Sequence, residues 1–329
     1  MMEADAGLSV YPAWEIVLKN ILLRQYKGQK SFKGSEKIVI LRPWRLVFSK
    51  VMLHTKNLTS YSLIPLLTKT LPMAFDTLDE KIYGLIGYPL IHSFSKDFFN
   101  KKFRAEGINA RYVNFEIPDI GDLMEVIAET PNISGMNVTI PYKEQVIPYL
   151  DEVDPVAARI GAVNVIKFVR GKSANDFRLV GFNSDVVGFT DSIRPMLKPC
   201  HKGALVLGTG GAAKAVCAGL EQLGVAPVLV SRRKREGVLT YGELTPEIMD
   251  ANKVIVNTTP LGMYPHVDEC PDIPYGCITP EFLCYDLLYN PEITLFMRKS
   301  AEHGAAVKNG LEMLLLQAFV SWDIWNRKS

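Results

Sequence analysis

Four short polar clusters carry the residue types that bind and protonate a small oxygenated ligand: His92-Ser93-Phe94-Ser95, Asn137-Val138-Thr139-Ile140-Pro141-Tyr142-Lys143, Gly161-Ala162-Val163-Asn164 and Gly181-Phe182-Asn183-Ser184-Asp185. Taken singly, each is compatible with ordinary loop chemistry, a serine as a cap or an asparagine in a turn. Four of them feeding one glycine-rich unit suggest a site for a small, heavily hydroxylated ligand. That unit begins with the apolar run Ala204–Leu207, continues through Gly208-Thr209-Gly210-Gly211-Ala212-Ala213, and opens a helix with Val216, Leu220 and Leu223. Gly208 allows a tight turn, Gly210 lets backbone approach a pyrophosphate, and Ala213 permits close helix–strand packing. Unpaired N–H groups at the helix start then face the phosphates. A strand, Pro227–Ser231, completes the context that a dinucleotide site requires. A glycine-rich turn without a ligand is the alternative.

At the end of that strand stands Ser231-Arg232-Arg233-Lys234-Arg235, a hydroxyl and four cations. NAD sites place an acid near this strand end, where it binds the ribose 2′-hydroxyl and would repel a 2′-phosphate. Arginine instead clamps a 2′-phosphate with charge-assisted bonds. These residues therefore favour NADP over NAD.

The elements that must position these groups alternate along the chain. Strands are expected at Ile82–Gly87, Arg111–Glu116, Gly135–Thr139, Val254–Asn257 and Phe282–Leu287, with a hairpin-like pair at Ala162–Phe168 and Arg178–Gly181. Helices are expected at Ser95–Glu106, with Ser95 as N-cap, at Ile120–Glu129, after Pro141 with Val146, Ile147 and Leu150, from Asp185, and from Gly310 to Trp325. Such alternation predicts an α/β fold of open, mostly parallel sheets covered by helices.

Of the 329 residues, 48% are hydrophobic and 22% charged, which allows a sizeable core and about two domains. The net charge of +2 argues against a nucleic-acid binder. No apolar run is long enough to span a membrane. The five cysteines, Cys200, Cys217, Cys270, Cys277 and Cys284, are an odd number with no Cys-x-x-Cys and no paired histidines nearby. Free, buried or half-buried thiols in a reducing cytoplasm are expected, with no metal.

Residues 1–72 differ from the rest, with eleven Lys and Arg against four acids. Leu18–Leu23 and Ile38–Leu41 offer only a short helical turn and a short strand. A secretory signal is disfavoured, and Glu3, Asp5, Glu15 and Glu36 are awkward for a transit peptide. We expect the folded unit to start near 73–81, after Met73, with residues 1–80 a poorly ordered extension. Deleting 1–72 is expected to leave solubility and activity intact.

Over residues 81–326 the sequence resembles the shikimate dehydrogenase family. The resemblance rests on His-Ser-x-Ser at 92–95, Asn-Val-Thr-x-Pro-x-Lys at 137–143, Gly-Ala-Val-Asn at 161–164 and Gly-x-Asn-x-Asp at 181–185. It continues through Gly-x-Gly-Gly-Ala-Ala at 208–213, Asn-x-Thr-Pro-x-Gly-Met at 257–263, Asp-x-x-Tyr-x-Pro-x-x-Thr at 286–294, and Gly310, Met313 and Gln317 in the closing helix. It implies NADPH-dependent reduction of 3-dehydroshikimate to shikimate by a cytoplasmic enzyme, a monomer or homodimer. It also implies a substrate domain of residues 81–186 plus 308–329 and a Rossmann-type, doubly wound NADP domain of 187–307.

By motif position, Lys143 and Asp185 are the expected catalytic pair. Ser93, Ser95 and Tyr289 would hold the substrate carboxylate, and Asn137, Asn164, Asp185 and Gln317 the ring hydroxyls, with Thr139 nearby. Gly208, Gly210, Gly211, Ala212, Ala213, Ser231, Arg232, Arg233, Asn257, Thr258, Met263 and Gly310 would line the cofactor. Trp322 and Trp325 would pack the closing helix onto the substrate domain, and His92 and His303 are read as structural. Lys96, Val165, Ser184 and Ser231 depart from the commonest family pattern and leave room for quinate as an alternative substrate. A ligand-sensing domain without turnover is the remaining alternative, and intact Lys143 and Asp185 weigh against it.

Overall fold

The computed structural model describes residues 80–90, 93–171 and 176–327. The expected extension, its short helical turn and strand, and His92 lie outside the described residues. The chain divides into two compact units, one ending at Tyr142 and one beginning at Lys143.

The first unit reads β1 (Lys81–Gly87), α1 (Phe94–Glu106), β2 (Ala110–Glu116), α2 (Leu123–Glu129) and β3 (Ile133–Val138). Strand β1 is central, with β2 parallel on one side and β3 parallel on the other. It is buried from Ile82 to Gly87, as a parallel strand covered on both faces must be. Helix α1 docks through Phe99 and Phe103. The Phe99 ring stacks on Tyr112 at 4.9 Å, and Phe103 lies 5.5 Å from Tyr83.

The cap of α1 corrects the sequence reading. Ser93 takes the extended conformation, and its hydroxyl accepts the Lys96 N–H at 3.2 Å, so the cap stands two residues earlier than expected and the helix begins at Phe94. Ser95 is already helical and buried. Gly107 ends the helix in the left-handed conformation, φ 66°.

No helix follows Pro141. The chain there runs in turns, and only Ile147–Tyr149 winds into a single 3-10 turn. Pro148 has no N–H to continue a helical ladder, so the spacing of Val146, Ile147 and Leu150 imitates a helix that cannot propagate.

In the second unit, β4 (Glu152–Val153), α3 (Pro155–Ile160), β5 (Val165–Arg170) and β6 (Phe177–Phe182) come first. Strands β5 and β6 form the expected antiparallel pair, and β4 runs parallel to β6. Helix α4 (Asp185–Ile193) leads to β7 (Gly203–Leu207), α5 (Gly211–Gln222), β8 (Ala226–Ser231), β9 (Leu239–Thr240) and α6 (Pro246–Ala251). Then follow β10 (Val254–Asn257), β11 (Leu283–Asp286), α7 (Leu295–Glu302), β12 (Ala306–Lys308) and α8 (Leu311–Asn326).

These later strands form one sheet in the order β12-β11-β10-β7-β8-β9, with every pairing parallel. Alternate residues feed opposite faces. Ala204, Val206, Val254 and Val256 enter one core, while Leu205, Leu207 and Ile255 enter the other. The sheet is thus doubly wound. Its strand order reverses between β7 and β10, where ligands of such sheets bind beyond the carboxyl ends of the strands.

Helix α8 lies along α4, and Gly188 makes the close approach feasible: a side chain there would meet the Met313 carbonyl at 2.8 Å. Trp325 is buried and donates its indole N–H to the Ile166 carbonyl at 3.1 Å, which ties α8 to β5. Buried Lys167 donates to the Arg327 carbonyl just past the end of α8 at 2.7 Å. All five cysteines are free; Cys200 is exposed, contrary to expectation, because it lies in the loop before β7. Among the described residues no metal-binding cluster occurs, and no helix is long and apolar enough to cross a membrane.

Candidate active site

In the second unit, Lys143 and Asp185 form an ion pair with Nζ 2.6 Å from Oδ2. Their side chains are 16% and 8% exposed, so the pair is largely removed from water. Asp185 opens α4, where its charge meets the positive end of the helix dipole. Its second oxygen, Oδ1, accepts from the Asn164 amide at 2.9 Å. The same amide reaches Ser184 Oγ at 2.9 Å, and the Ser184 N–H donates to Asn164 Oδ1 at 2.7 Å. Ser184 is fully buried and also bonds Ser321 at 3.1 Å and Gln317 Oε1 at 3.4 Å. Lys143, Asp185, Asn164 and Gln317 therefore belong to one hydrogen-bonded group, with Ser184 at its centre.

Lys143 also touches the glycine loop. A Cβ at Gly211 would lie 3.0 Å from Lys143 Cβ and 3.4 Å from Ala162 Cβ. A side chain at Gly211 would crowd this lysine stem by a few tenths of an ångström at the start of α5. One turn along, Lys214 pairs with Glu144 at 2.5 Å.

The glycine loop has the features that an anionic dinucleotide needs. Gly208 has φ 121°, a region closed to most side chains, and a Cβ there would meet Thr258 Oγ1 at 2.5 Å. Gly210 caps α5 without a side-chain bond to its N–H groups, and a Cβ there would meet nothing within 4 Å. The first turn of a twelve-residue helix is thus left open to phosphate oxygens. Gly211 and Ala212 stand at this turn, and Ala213 is buried in the core beneath it.

Strand β8 ends at Ser231, whose hydroxyl accepts the Arg233 N–H at 3.3 Å. Lys234 pairs with Glu243. Arg232 and Arg233 are exposed, and neither forms an ion pair among the described residues. Both fit a phosphate ester at this strand end.

The loop after β10 is built inward. The Asn257 side chain is fully buried: its amide donates to Asp286 Oδ1 at 3.1 Å, and its oxygen accepts from Thr259 Oγ1 at 2.7 Å. Thr258 donates to the Leu207 carbonyl at 2.7 Å and so lies against Gly208. Met263 is 47% exposed. The Gly310 N–H donates to the Leu288 carbonyl, and a Cβ there would meet the Leu287 carbonyl at 1.9 Å. Tyr289 is half-buried, and burial pushes its hydroxyl above the usual range.

In the first unit, Asn137 Oδ1 accepts from the Tyr112 hydroxyl at 2.8 Å, and Ser95 also bonds that hydroxyl. Burial raises the Tyr112 pKa well above its ordinary value, so the phenol stays protonated and joins the two predicted residues. Thr139 follows β3, and its backbone carbonyl accepts the Tyr142 N–H at 2.9 Å. The sequence reading missed Tyr112 and Ser321, and assigned no role to Ser184, Asp286 or Thr294. Asp286 and Thr294 bound a recognised motif, but nothing near Tyr112 in the chain marks it as a partner of Asn137, 25 residues away.

A doubly wound parallel sheet, with an open helix N-terminus beside a buried lysine–carboxylate pair, defines the class of nucleotide-dependent dehydrogenases. Comparison with known proteins narrows this. The family description "Shikimate dehydrogenase substrate binding domain" matches residues 85–166. A shikimate dehydrogenase (NADP(+)) of Desulforamulus reducens is 35% identical over 271 residues, covering 74% of this chain and 89% of the relative. The crystal structure of shikimate dehydrogenase from Aquifex aeolicus is 34% identical, with a TM-score of 0.65 over 75% of this chain and 92% of that one. That of shikimate 5-dehydrogenase from Thermus thermophilus, in complex with NADP(H) and shikimate, is 28% identical, with a TM-score of 0.64 over 75% and 93%. The chain belongs to the shikimate dehydrogenase family.

Proposed function

We propose that this chain catalyses the reversible, NADPH-dependent reduction of 3-dehydroshikimate to shikimate. The observation that carries the reading is the Lys143–Asp185 pair, 2.6 Å apart and packed on Gly211 of the glycine loop. When bound, NADPH supplies a hydride to the substrate ketone. Negative charge then builds on the carbonyl oxygen, and a donor aimed at that oxygen stabilises it. Lys143 is the donor in our reading, its ammonium ion-paired with Asp185. Asn164 fixes the Asp185 carboxylate, so the lysine's charge partner cannot turn away.

Substrate contacts are assigned to Ser93, Ser95, Asn137, Thr139, Asn164, Tyr289 and Gln317. The open turn Gly208–Ala213, with Thr258 and Met263, is assigned to the cofactor, and Ser231, Arg232 and Arg233 to its 2′-phosphate. Asn257 and Gly310 act on the cofactor by shaping the loops around it. The substrate-binding part is residues 81–186 plus 308–329, and the NADP-binding part 187–307; the enzyme works as a monomer or homodimer. Initial rates at 340 nm, pairing shikimate or quinate with NADP or NAD, test the reading. Fastest turnover with shikimate and NADP is expected, and no turnover with any pair defeats it.

Ser93 has two tasks in this scheme. Ser93→Ala is expected to raise the Michaelis constant for the substrate. It also removes the cap of α1, which costs about 1 kcal/mol of stability, measurable by urea denaturation.

A further inference from the structure

The strongest unexplained feature outside the proposed chemistry is a buried carboxylate behind the β10 loop. Asp286 ends β11, lies beside Asn257 in the parallel register and is fully buried. It collects donors from three places. Thr294 Oγ1 donates to Oδ2 at 2.6 Å, while Asn257 Nδ2 and the Leu288 N–H donate to Oδ1 at 3.1 and 3.0 Å. No cation pairs with it among the described residues. A lone buried charge is costly, and burial raises its pKa to about 6 despite these bonds.

A helix cap alone does not require it. Thr294 already caps α7 by accepting the Met297 N–H at 3.3 Å. What the carboxylate adds is a link to Asn257. The Asn257 oxygen then receives both the N–H and the hydroxyl of Thr259, at 3.0 and 2.7 Å, while the Asn257 amide also reaches the Leu261 carbonyl at 3.4 Å. Between them, Thr258 is pinned to the Leu207 carbonyl and pressed on Gly208. One carboxylate therefore fixes an asparagine, the asparagine fixes the turn 257–261, and that turn abuts the first glycine of the phosphate loop.

We infer that Asp286 is a positioning residue for cofactor binding: through Asn257 it holds the 257–263 segment, and with it the Gly208 turn, in the pose that receives the dinucleotide. The inference rests on the reading of the glycine loop as an NADPH site. It separates Asp286 from the proton-transfer chemistry, which lies with Lys143 and Asp185. Loss of Asp286 must therefore weaken the cofactor and spare the chemical step.

NADPH binding is followed by fluorescence titration, and KM and kcat by the 340 nm assay, for the parent and four variants. Asp286→Ala is expected to raise the NADPH Kd and KM about tenfold or more, the effect of losing a buried hydrogen-bonded support. Its kcat at saturating NADPH, and its KM for 3-dehydroshikimate, stay within about threefold. Asp286→Asn keeps an oxygen for Asn257 and Leu288 and recovers most of the affinity. Asn257→Ala cuts the link from the other side, produces the same rise, and tests it even where Asp286→Ala fails to fold. Thr294→Val removes the cap and the third bond only, so it lowers Tm and leaves NADPH affinity within about twofold.

Parental affinity in Asp286→Ala or Asn257→Ala overturns the inference while leaving the proposed function standing. So does a Thr294→Val variant that weakens NADPH as much as Asp286→Ala, since Asp286 is then only a structural support. A parent protein that binds no NADPH defeats the proposed function itself, and the inference with it.

Discussion

Lys143→Ala is expected to lower kcat for 3-dehydroshikimate reduction by roughly 10²-fold or more, the range for a positioned acid, with little change in substrate KM. Among the described residues the ammonium bonds no acceptor besides Asp185, which leaves protons for a ligand oxygen. Alanine removes the ammonium but keeps Cβ, the atom that packs on Gly211. The glycine loop should therefore stay as it is, and NADPH affinity measured by fluorescence should match the parent. Asp185 retains the Asn164 bond to Oδ1 and loses only its partner on Oδ2. Near-parental turnover would remove Lys143 from the mechanism. A parallel loss of NADPH affinity would show that the lysine stem, rather than its charge, was being measured.

The sequence exposes the scaffold best where burial is two-sided. Ala204–Leu207 and Val254–Val256 are continuous apolar runs because parallel strands meet a core on each face, and both appear within strands at those positions. Legibility fails where the same local pattern serves two outcomes. Two serines spaced two apart can each cap a helix, and only the backbone angles at Ser93 select it. Val146, Ile147 and Leu150 have helical spacing, yet Pro148 limits the segment to one tight turn.

The site divides in the same way. Residue types reveal which groups could act, since lysine, aspartate and glycine announce their chemistry locally. The wiring is invisible because it joins residues far apart in the chain: Ser184 to Ser321, and Asn257 to Asp286. Asn257 illustrates the consequence. Its motif places it along the cofactor, but its amide is turned inward and spent on protein partners, so its influence passes through the loop that it shapes.

Cofactor choice gives the second large effect. Arg232→Ala is expected to raise the NADPH Michaelis constant roughly 10- to 100-fold, the loss of charged hydrogen bonds to a phosphate. The NADH constant and the substrate constant should stay near the parent's, because neither ligand carries the 2′-phosphate. The neighbouring charges cannot readily compensate. Lys234 is engaged with Glu243, and the Arg233 backbone is fixed by the Ser231 hydroxyl. Arg233→Ala should act in the same direction, and the double variant should lose most of the preference for NADPH over NADH. Raising ionic strength should weaken parental NADPH binding more than NADH binding, since these arginines are exposed and screened by salt. The 2′-phosphate assignment fails if the parent prefers NADH, or if Arg232→Ala raises both cofactor constants alike, since a general attraction for any dinucleotide would then explain the basic strand end.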